Sequence, residues 1–438
     1  MTIKVLNLKG LTLPSPSFIP SGTLNIDSEG THNVADYEFI RVLVQKNELK
    51  QVVCSDETTW VLKTDGTLWG CGHGDSGQQS SGDTTDVKTF TQRLDNVKQV
   101  VCSYRTTWAV KNDGTLWGCG WSYYGQQGSG GNTTNVTTFT QRLTNVKQVV
   151  CSGNGTTTWV IKNDDTLWGC GINSYGQQGN GSTANVYTFT QRLTDVKQVV
   201  CSGNITWAIK NDGTLWGCGY NEYGSQGSGS TDNVTIFTQR LDNVKQVACS
   251  NYTTWAVKND GTLLGCGLNN MGQQGSGTSG GGTNVLIFTQ RLSNVEQVVC
   301  SGNTSWALKT DGTFWGCGFN VNGQQGSGDT TNVTTFTQRL TNVKQVANSD
   351  ATIWVLKDDD TLWGCGWNNY GQQGSGSVSD VKTFTQRLTN VKQVVCSQYS
   401  TWVIKNDDTL WGCGYNNDGQ QGSGSTSNVL TFTQRTLT

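Results

Sequence analysis

One unit recurs through almost the whole chain. Residues 146–179 read VKQVVCSGNGTTTWVIKNDDTLWGCGINSYGQQG, and versions of this stretch occur eight times. The marker TLWGCG, with small variations, places its cysteine at Cys71, Cys119, Cys170, Cys218, Cys266, Cys317, Cys365 and Cys413. Successive gaps are 48, 51, 48, 48, 51, 48 and 48 residues. A fixed period of this size means a repeat architecture, in which each unit buries its apolar face only against the next copy. A chain of 438 residues would otherwise suggest two or three domains; eight copies of one unit argue for a single ring or solenoid.

Each repeat offers four strand candidates. VKQVV alternates, with Val97, Gln99 and Val101 expected on one face and Lys98 and Val100 on the other. TTWVIK is apolar on both faces, which suits a strand packed between two neighbouring sheets. A tight turn follows, as in Thr64-Asp65-Gly66 and Asn112-Asp113-Gly114, whose glycine suits a positive φ. In three copies that glycine is Asp165, Asp360 or Asp408, a tolerated but costlier occupant. TLWGCG returns as a third strand, a glycine-rich loop follows, and TFTQRL supplies the fourth. No stretch sustains a 3.6-residue period, so no helix is expected. Four short antiparallel strands in about 50 residues, repeated many times, describe the blades of a β-propeller.

These residues carry a family resemblance. The pattern VxQVxC…TxWxLKxDGTLWGCGxNxxGQxG resembles the regulator of chromosome condensation repeat and extends from Tyr37 to Arg435. The resemblance implies an all-β propeller. The family's rings usually have seven blades, whereas eight repeats here predict about eight, with seven as the alternative. Two departures stand out: GQQG, as at Gln126-Gln127 and Gln372-Gln373, replaces the family's usual GQLG, and the family's proline before the last strand is absent. All three prolines, Pro14, Pro16 and Pro20, precede the repeats. The chain therefore divides into an N-terminal arm, 1–36, and a propeller, 37–438, whose segment 37–44 (YEFIRVLV) reads as a strand. Either that segment or 431–435 is expected to complete the first blade and clasp the ring shut.

Composition narrows the functions available. The net charge of −2 gives no general attraction to nucleic acid or anionic membrane. No apolar run approaches the roughly 18 to 20 residues that span a bilayer. The first residues, MTIKVLNLKGLTLPSPS, hold only short apolar runs, so no signal peptide is expected. The 15 cysteines suggest a disulfide scaffold until they are placed. Cys151 and Cys170 fall on strands flanking a middle one, roughly 9 to 10 Å apart. A disulfide needs Cα atoms within about 7 Å. Asn348 replaces one cysteine of the series, which would orphan a partner in any pairing between units. The expectation is reduced, buried, structural thiols.

No catalytic constellation emerges. The only histidines, His32 and His73, lie in different regions, and there is no CxxC or HExxH spacing for a metal. The GxNxxGQQG loop lacks the lysine and the strand–loop–helix setting of a phosphate cradle. Serines lack a histidine base at matching positions. The reading is therefore no enzyme, no metal and no cofactor. Trp60, Trp108, Trp159, Trp207, Trp255, Trp306, Trp354 and Trp402 recur in every copy and are expected to fill the space between blades. A second tryptophan, such as Trp69 or Trp117, gives way only to Leu264. The arginine of TFTQR, from Arg93 to Arg435, suits either pairing with turn carboxylates or a solvated ring of charge.

What varies between copies points to binding. The residue after WGCG runs His73, Trp121, Ile172, Tyr220, Leu268, Phe319, Trp367 and Tyr415. Three positions on come Ser76, Tyr124, Tyr175, Tyr223, Met271, Asn322, Tyr370 and Asp418. Ring geometry places equivalent positions on one face, where Trp121, Tyr124, Tyr175, Tyr220, Tyr223, Phe319, Trp367, Tyr370 and Tyr415 form a candidate binding ring for a protein surface or a stacked sugar.

Two classes of function follow. The main expectation is a structural or receptor-binding component of a phage virion or surface assembly, assembled in the cytoplasm. There it would contact other proteins of that assembly, through residues 1–36 or the aromatic ring, or a glycan or cell-surface receptor. The alternative, implied by the family resemblance, is a cytoplasmic regulatory propeller that binds a small GTPase or an enzyme through loops on one face. Chromatin binding would want a basic face, and nucleic acid is not expected as a partner.

Overall fold

A computed structural model describes residues 48–250 and 252–437, and among these every regular element is a strand. Thirty-two strands form eight four-stranded antiparallel sheets, each built from consecutive strands. In the third blade the order runs Val146–Cys151, Thr157–Lys162, Leu167–Gly171 and Val186–Leu193, from the channel outward. The molecule is an eight-bladed β-propeller. The segment 37–44 lies outside the described residues.

The second strand of every blade is buried along nearly its whole length, because both its faces meet neighbouring sheets. Its tryptophan crosses to the next blade: Trp159 meets the ring of Phe237 edge to face at 5.7 Å and 69°. Trp402 of the last blade meets Phe90 of the first in the same way, at 5.7 Å and 72°. The ring thus closes by the contact that joins every other pair of blades. Segment 431–435 does not complete the first blade; it lies in the outer strand of the last, Val429–Arg435, and the first blade has four strands of its own. Apolar burial between blades replaces the exchanged strand.

The innermost strand departs from simple alternation. Its register slips between Val97 and Gln99, leaving Lys98 as a bulge. Val97 and Val100 are consequently both buried, and Val101 faces less deeply inward. Gln99 uses the same geometry to bridge blades: its Nε2 donates to Val149 O at 3.1 Å, and its Oε1 accepts from Val149 N at 3.1 Å. Across the sheet, Cys151 and Cys170 both lie opposite Thr158, one on each side, and all fifteen cysteines are free.

The turn between the second and third strands is held by a short cascade. Asp113 Oδ1 accepts from Thr115 N and Oγ1 at 2.9 and 2.7 Å. Thr115 Oγ1 in turn accepts from Trp117 Nε1 at 2.8 Å, and Lys111 Nζ lies 4.5 Å from a Trp117 ring centroid. This is why K-x-D-G-T-L-W recurs as a unit. It also leaves the second tryptophan half-buried rather than in the core. Gly114 has φ +80°, and its carbonyl accepts from Val146 N, the first residue of the next blade, at 2.8 Å. Asp165, Asp360 and Asp408 occupy the equivalent place at φ 59°, 62° and 63°. Each is met by a lysine of its own blade: Lys147 and Lys392 at 2.7 and 2.8 Å, and Lys344 in direct contact.

Candidate binding face

Antiparallel order puts the loops after the first and third strands of every blade at one end of the ring, called here the upper end. The longer loop is built on buried amides. Asn221 Nδ2 donates to Ser228 Oγ, Ser230 O and Asp232 O at 3.0, 3.0 and 2.8 Å, and its Oδ1 accepts from Gln226 N at 2.8 Å. Gln226 Nε2 then donates to the carbonyl of Cys218 at 2.8 Å. The second glutamine of GQQG, the departure noted above, is therefore a buried tie between loop and third strand. These bonds fix the backbone and leave the intervening side chains free to differ.

Those side chains gather into three clusters rather than a continuous circle. Trp121, Tyr123 and Tyr124 form one, with centroids 4.9 to 6.3 Å apart. Tyr175, Tyr220, Tyr223 and Tyr252 form a second, at 5.1 to 6.1 Å, beside a cavity of about 440 Å³ that Tyr223 and Tyr252 help to line. Trp367, Tyr370, Tyr399 and Tyr415 form a third, at 5.0 to 5.8 Å. Phe319 is half-buried and stands outside all three. Sequence reasoning missed Tyr123, Tyr252 and Tyr399. The last two come from the loop after the first strand, whose variation between copies (Asn-Tyr-Thr, Gln-Tyr-Ser, Asp-Ala-Thr) was the available signal. All eight tryptophans assigned to packing are at most 1% exposed.

Charge divides with the ends. The upper loops hold Asp56, Glu57, Asp75, Asp83, Asp86, Glu222, Asp232, Asp329, Asp350, Asp380 and Asp418, against Arg105 and His73 and no lysine. Among the described residues only two of these acids meet a cation: Glu57 with His73 at 2.9 Å, and Asp75 with Arg105 at 3.3 Å and His73 at 3.6 Å. The Glu57 hydrogen bond raises the His73 pKa against the opposing effect of burial. Burial raises the carboxyl groups of Asp56 and Asp418. At the lower end the turn aspartates are instead held below the usual carboxylate range, as at Asp113 and Asp212, mainly by their threonine hydrogen bonds.

Cys54, Cys102, Cys151, Cys201, Cys249, Cys300 and Cys396 line a central cavity of about 490 Å³, with Asn348 completing the ring. Burial pushes the Cys151 thiol up to about 11 and Cys102 to about 12, so both stay protonated at neutral pH. Among the described residues no group of three or more His, Cys, Asp or Glu side chains is placed to hold a metal ion. The TFTQR arginines neither pair with carboxylates among the described residues nor form a solvated ring. They are half-buried, and Arg142 lies beside the Cys170 thiol of the next blade. Arg435 Nε donates to Gln421 O at 2.8 Å.

The fold and face together define a propeller with a rigid, variable, acidic and aromatic end. The chain carries regulator of chromosome condensation (RCC1) repeats, matched over residues 97–126, 196–225 and 244–273. Human WBSCR16 is similar in structure, with a TM-score of 0.60 at 20% identity, over 78% of this chain and 97% of that one. Prp20p from Saccharomyces cerevisiae, described with its binding properties to Gsp1p and histones, gives 0.60 at 16% over 77% and 90%. Yeast RCC1 (Prp20) in its structure with Kap60 gives 0.58 at 12% over 100% and 91%. No curated protein sequence matches this chain.

Proposed function

We propose that this chain is a non-enzymatic binding propeller that docks a protein partner against its upper face. One observation carries the reading: buried amides hold the upper loops in a common backbone while their side chains gather into aromatic clusters amid unpaired carboxylates. Rigid loops presenting aromatic rings suit a contact surface, since little side-chain freedom is lost on binding. The similar folds are described with Gsp1p, histones and Kap60, which favours regulatory binding of a protein partner over the virion or receptor-binding reading.

The test is proximity labelling or cross-linking in the native host, comparing the full chain with a variant in which Trp121, Tyr220, Phe319 and Trp367 are all alanine. The partner recovered with the wild type should be lost, while thermal melting and far-UV circular dichroism stay unchanged. A partner retained by that variant but lost on removing residues 1–36 would transfer the function to the N-terminal segment.

A further inference from the structure

The three aromatic clusters differ in what surrounds them. In the third, Trp367 and Tyr370 come from the seventh blade and Tyr399 and Tyr415 from the eighth, so two blades build one patch. Five of its six ring pairs are in contact, Tyr370 with Tyr415 at 5.0 Å and 73°, Trp367 with Tyr399 at 5.7 Å and 63°. Three carboxylates border it. Asp56 Oδ1 accepts from Gln398 N, the residue before Tyr399, at 2.9 Å. Asp350 accepts from Ser301 Oγ at 2.6 Å, and its charge, with that of Asp56, adds to burial in raising the Tyr399 phenol. Asp418 does the same for Tyr415.

None of these three acids has a cation within ion-pair distance among the described residues; the basic group whose charge reaches Asp418 is His73, which is hydrogen-bonded to Glu57. The other clusters are unlike this. Beside Tyr175, Tyr220, Tyr223 and Tyr252, the carboxylate in hydrogen-bond contact among the described residues is Glu222, which accepts from the Tyr220 hydroxyl. Beside Trp121, Tyr123 and Tyr124 the nearby loop supplies Arg105, stacked on Tyr104 at 4.9 Å.

Negative ring faces and uncompensated carboxylates attract the same kind of group by two separate mechanisms. A cation over an aromatic face is held by the ring quadrupole, and more strongly where water is partly excluded. A neutral sugar would use the rings but not the charge.

Resting on the upper-face reading above, we infer that Trp367, Tyr370, Tyr399 and Tyr415, with Asp56, Asp350 and Asp418, form a site for an alkylammonium or guanidinium side chain on a basic segment of the protein partner.

Fluorescence anisotropy on the full chain tests this with three labelled probes: octalysine, octalysine trimethylated at every side chain, and octaglutamate. Octalysine should bind and octaglutamate should not. Trimethylation keeps the charge and widens contact with the rings, so affinity should hold or rise. Trp367→Ala with Tyr399→Ala should weaken octalysine about tenfold, from the usual strength of such contacts. Asp56→Asn, Asp350→Asn and Asp418→Asn together should weaken it at least as much, and would answer the question if the ring variant failed to fold. Ile236→Ala with Ile287→Ala, exposed on outer strands away from the clusters, should change it less than about twofold. Equal octalysine binding by every variant would reduce the effect to diffuse surface charge and overturn the site, as would no binding by the wild type. So would a neutral oligosaccharide bound by the wild type and lost only on changing the rings. In each of those cases the upper face could still be judged separately, by whether the partner recovered with the wild type is lost from the four-residue alanine variant.

Discussion

The two ends of the ring are made by the same repeats and obey different rules. At the lower end seven of the eight blades reach the same solution: turn aspartate to threonine, threonine to tryptophan, lysine over the ring; the fifth keeps the aspartate–threonine bond and has Leu264 in the tryptophan's place. Where the turn glycine becomes aspartate, a lysine is there to meet it. Charges are local and balanced. At the upper end only the scaffold repeats, in buried pairs such as Asn221 with Gln226 or Asn368 with Gln373. What that scaffold displays changes from tryptophan to tyrosine to histidine, and its acids stand mostly without cations. Symmetry holds where the chain meets itself, and breaks where it faces outward.

The largest expected effect separates the two kinds of tryptophan. Trp159 is fully buried against the next blade, whereas Trp367 is half-buried at the upper end. Trp159→Ala should cost about 3 to 5 kcal/mol, the usual range for a buried aromatic. Trp367→Ala should cost much less than that. Urea unfolding monitored by circular dichroism compares them, and similar losses would erase the distinction drawn between the ends. Gly169→Ala should come next: a Cβ there would lie 2.5 Å from the Trp159 ring and 2.5 Å from Gln178 Oε1. Overpacking of this kind costs roughly 1 to 3 kcal/mol.

How much of this was legible follows from the same division. The eightfold period, the four strands, the turn and the tryptophan between blades could be read because each is a local pattern repeated until chance is excluded. The bulge at Lys98 could not, since strict alternation and a one-residue slip look alike in five residues. Nor could the closure: nothing in TFTQR says that its last copy stays in its own blade. The grouping of aromatic side chains at the upper end was half legible. Residues following WGCG stood out by varying inside a fixed frame, but Tyr252 and Tyr399 reach the same clusters from another loop. Only the folded order of the strands shows that both loops share an end. The gathering into three clusters depends on neighbouring blades and has no signature in any single repeat.

Cysteines test the middle of the molecule, between the two ends. Cys170 is wholly buried behind an arginine of the preceding blade, while Cys151 looks onto the channel. Cys170→Ser should cost about 1 to 2 kcal/mol and Cys151→Ser less, because a hydroxyl at the channel can reach water. Denaturing titration of alkylation-quenched protein should count all 15 thiols as reduced; one free thiol with the rest paired would overturn the arrangement. At the lower turn, Gly114→Ala should cost about 1 kcal/mol for its positive φ. Asp165→Ala should melt lower than Asp165→Gly, since alanine keeps the strained backbone and loses the lysine.

The smallest effect concerns the place where the upper end stops being aromatic. His73 stands where other blades have Trp121 or Trp367, and it faces Glu57 at 2.9 Å, Asp75 at 3.6 Å and the more distant Asp418. Its pKa is raised in the folded state, first by the Glu57 hydrogen bond. The stability it contributes is therefore complete below about 6.5, the ordinary histidine value, and is lost as pH rises through its folded value. Asp56 and Asp418, raised by burial, act in the same sense from the carboxylate range upward. The turn aspartates act oppositely: their pKa values are lowered, so their contribution is present above about 3.9 and lost on further acidification. Among the described residues, His73 is the side chain whose ordinary titration range falls between pH 6 and 8. The wild type should melt on the order of 1 °C lower at pH 8 than at pH 6 for this reason, a shift that small in a ring this size. His73→Asn should remove that slope, and Glu57→Gln should weaken it, while His73→Asn leaves the acid limb below pH 4 unchanged. Calorimetric melts of the three proteins across pH 3 to 8 decide it; a slope that survives in His73→Asn would mean that the raised carboxyl groups of Asp56 and Asp418 titrate there instead.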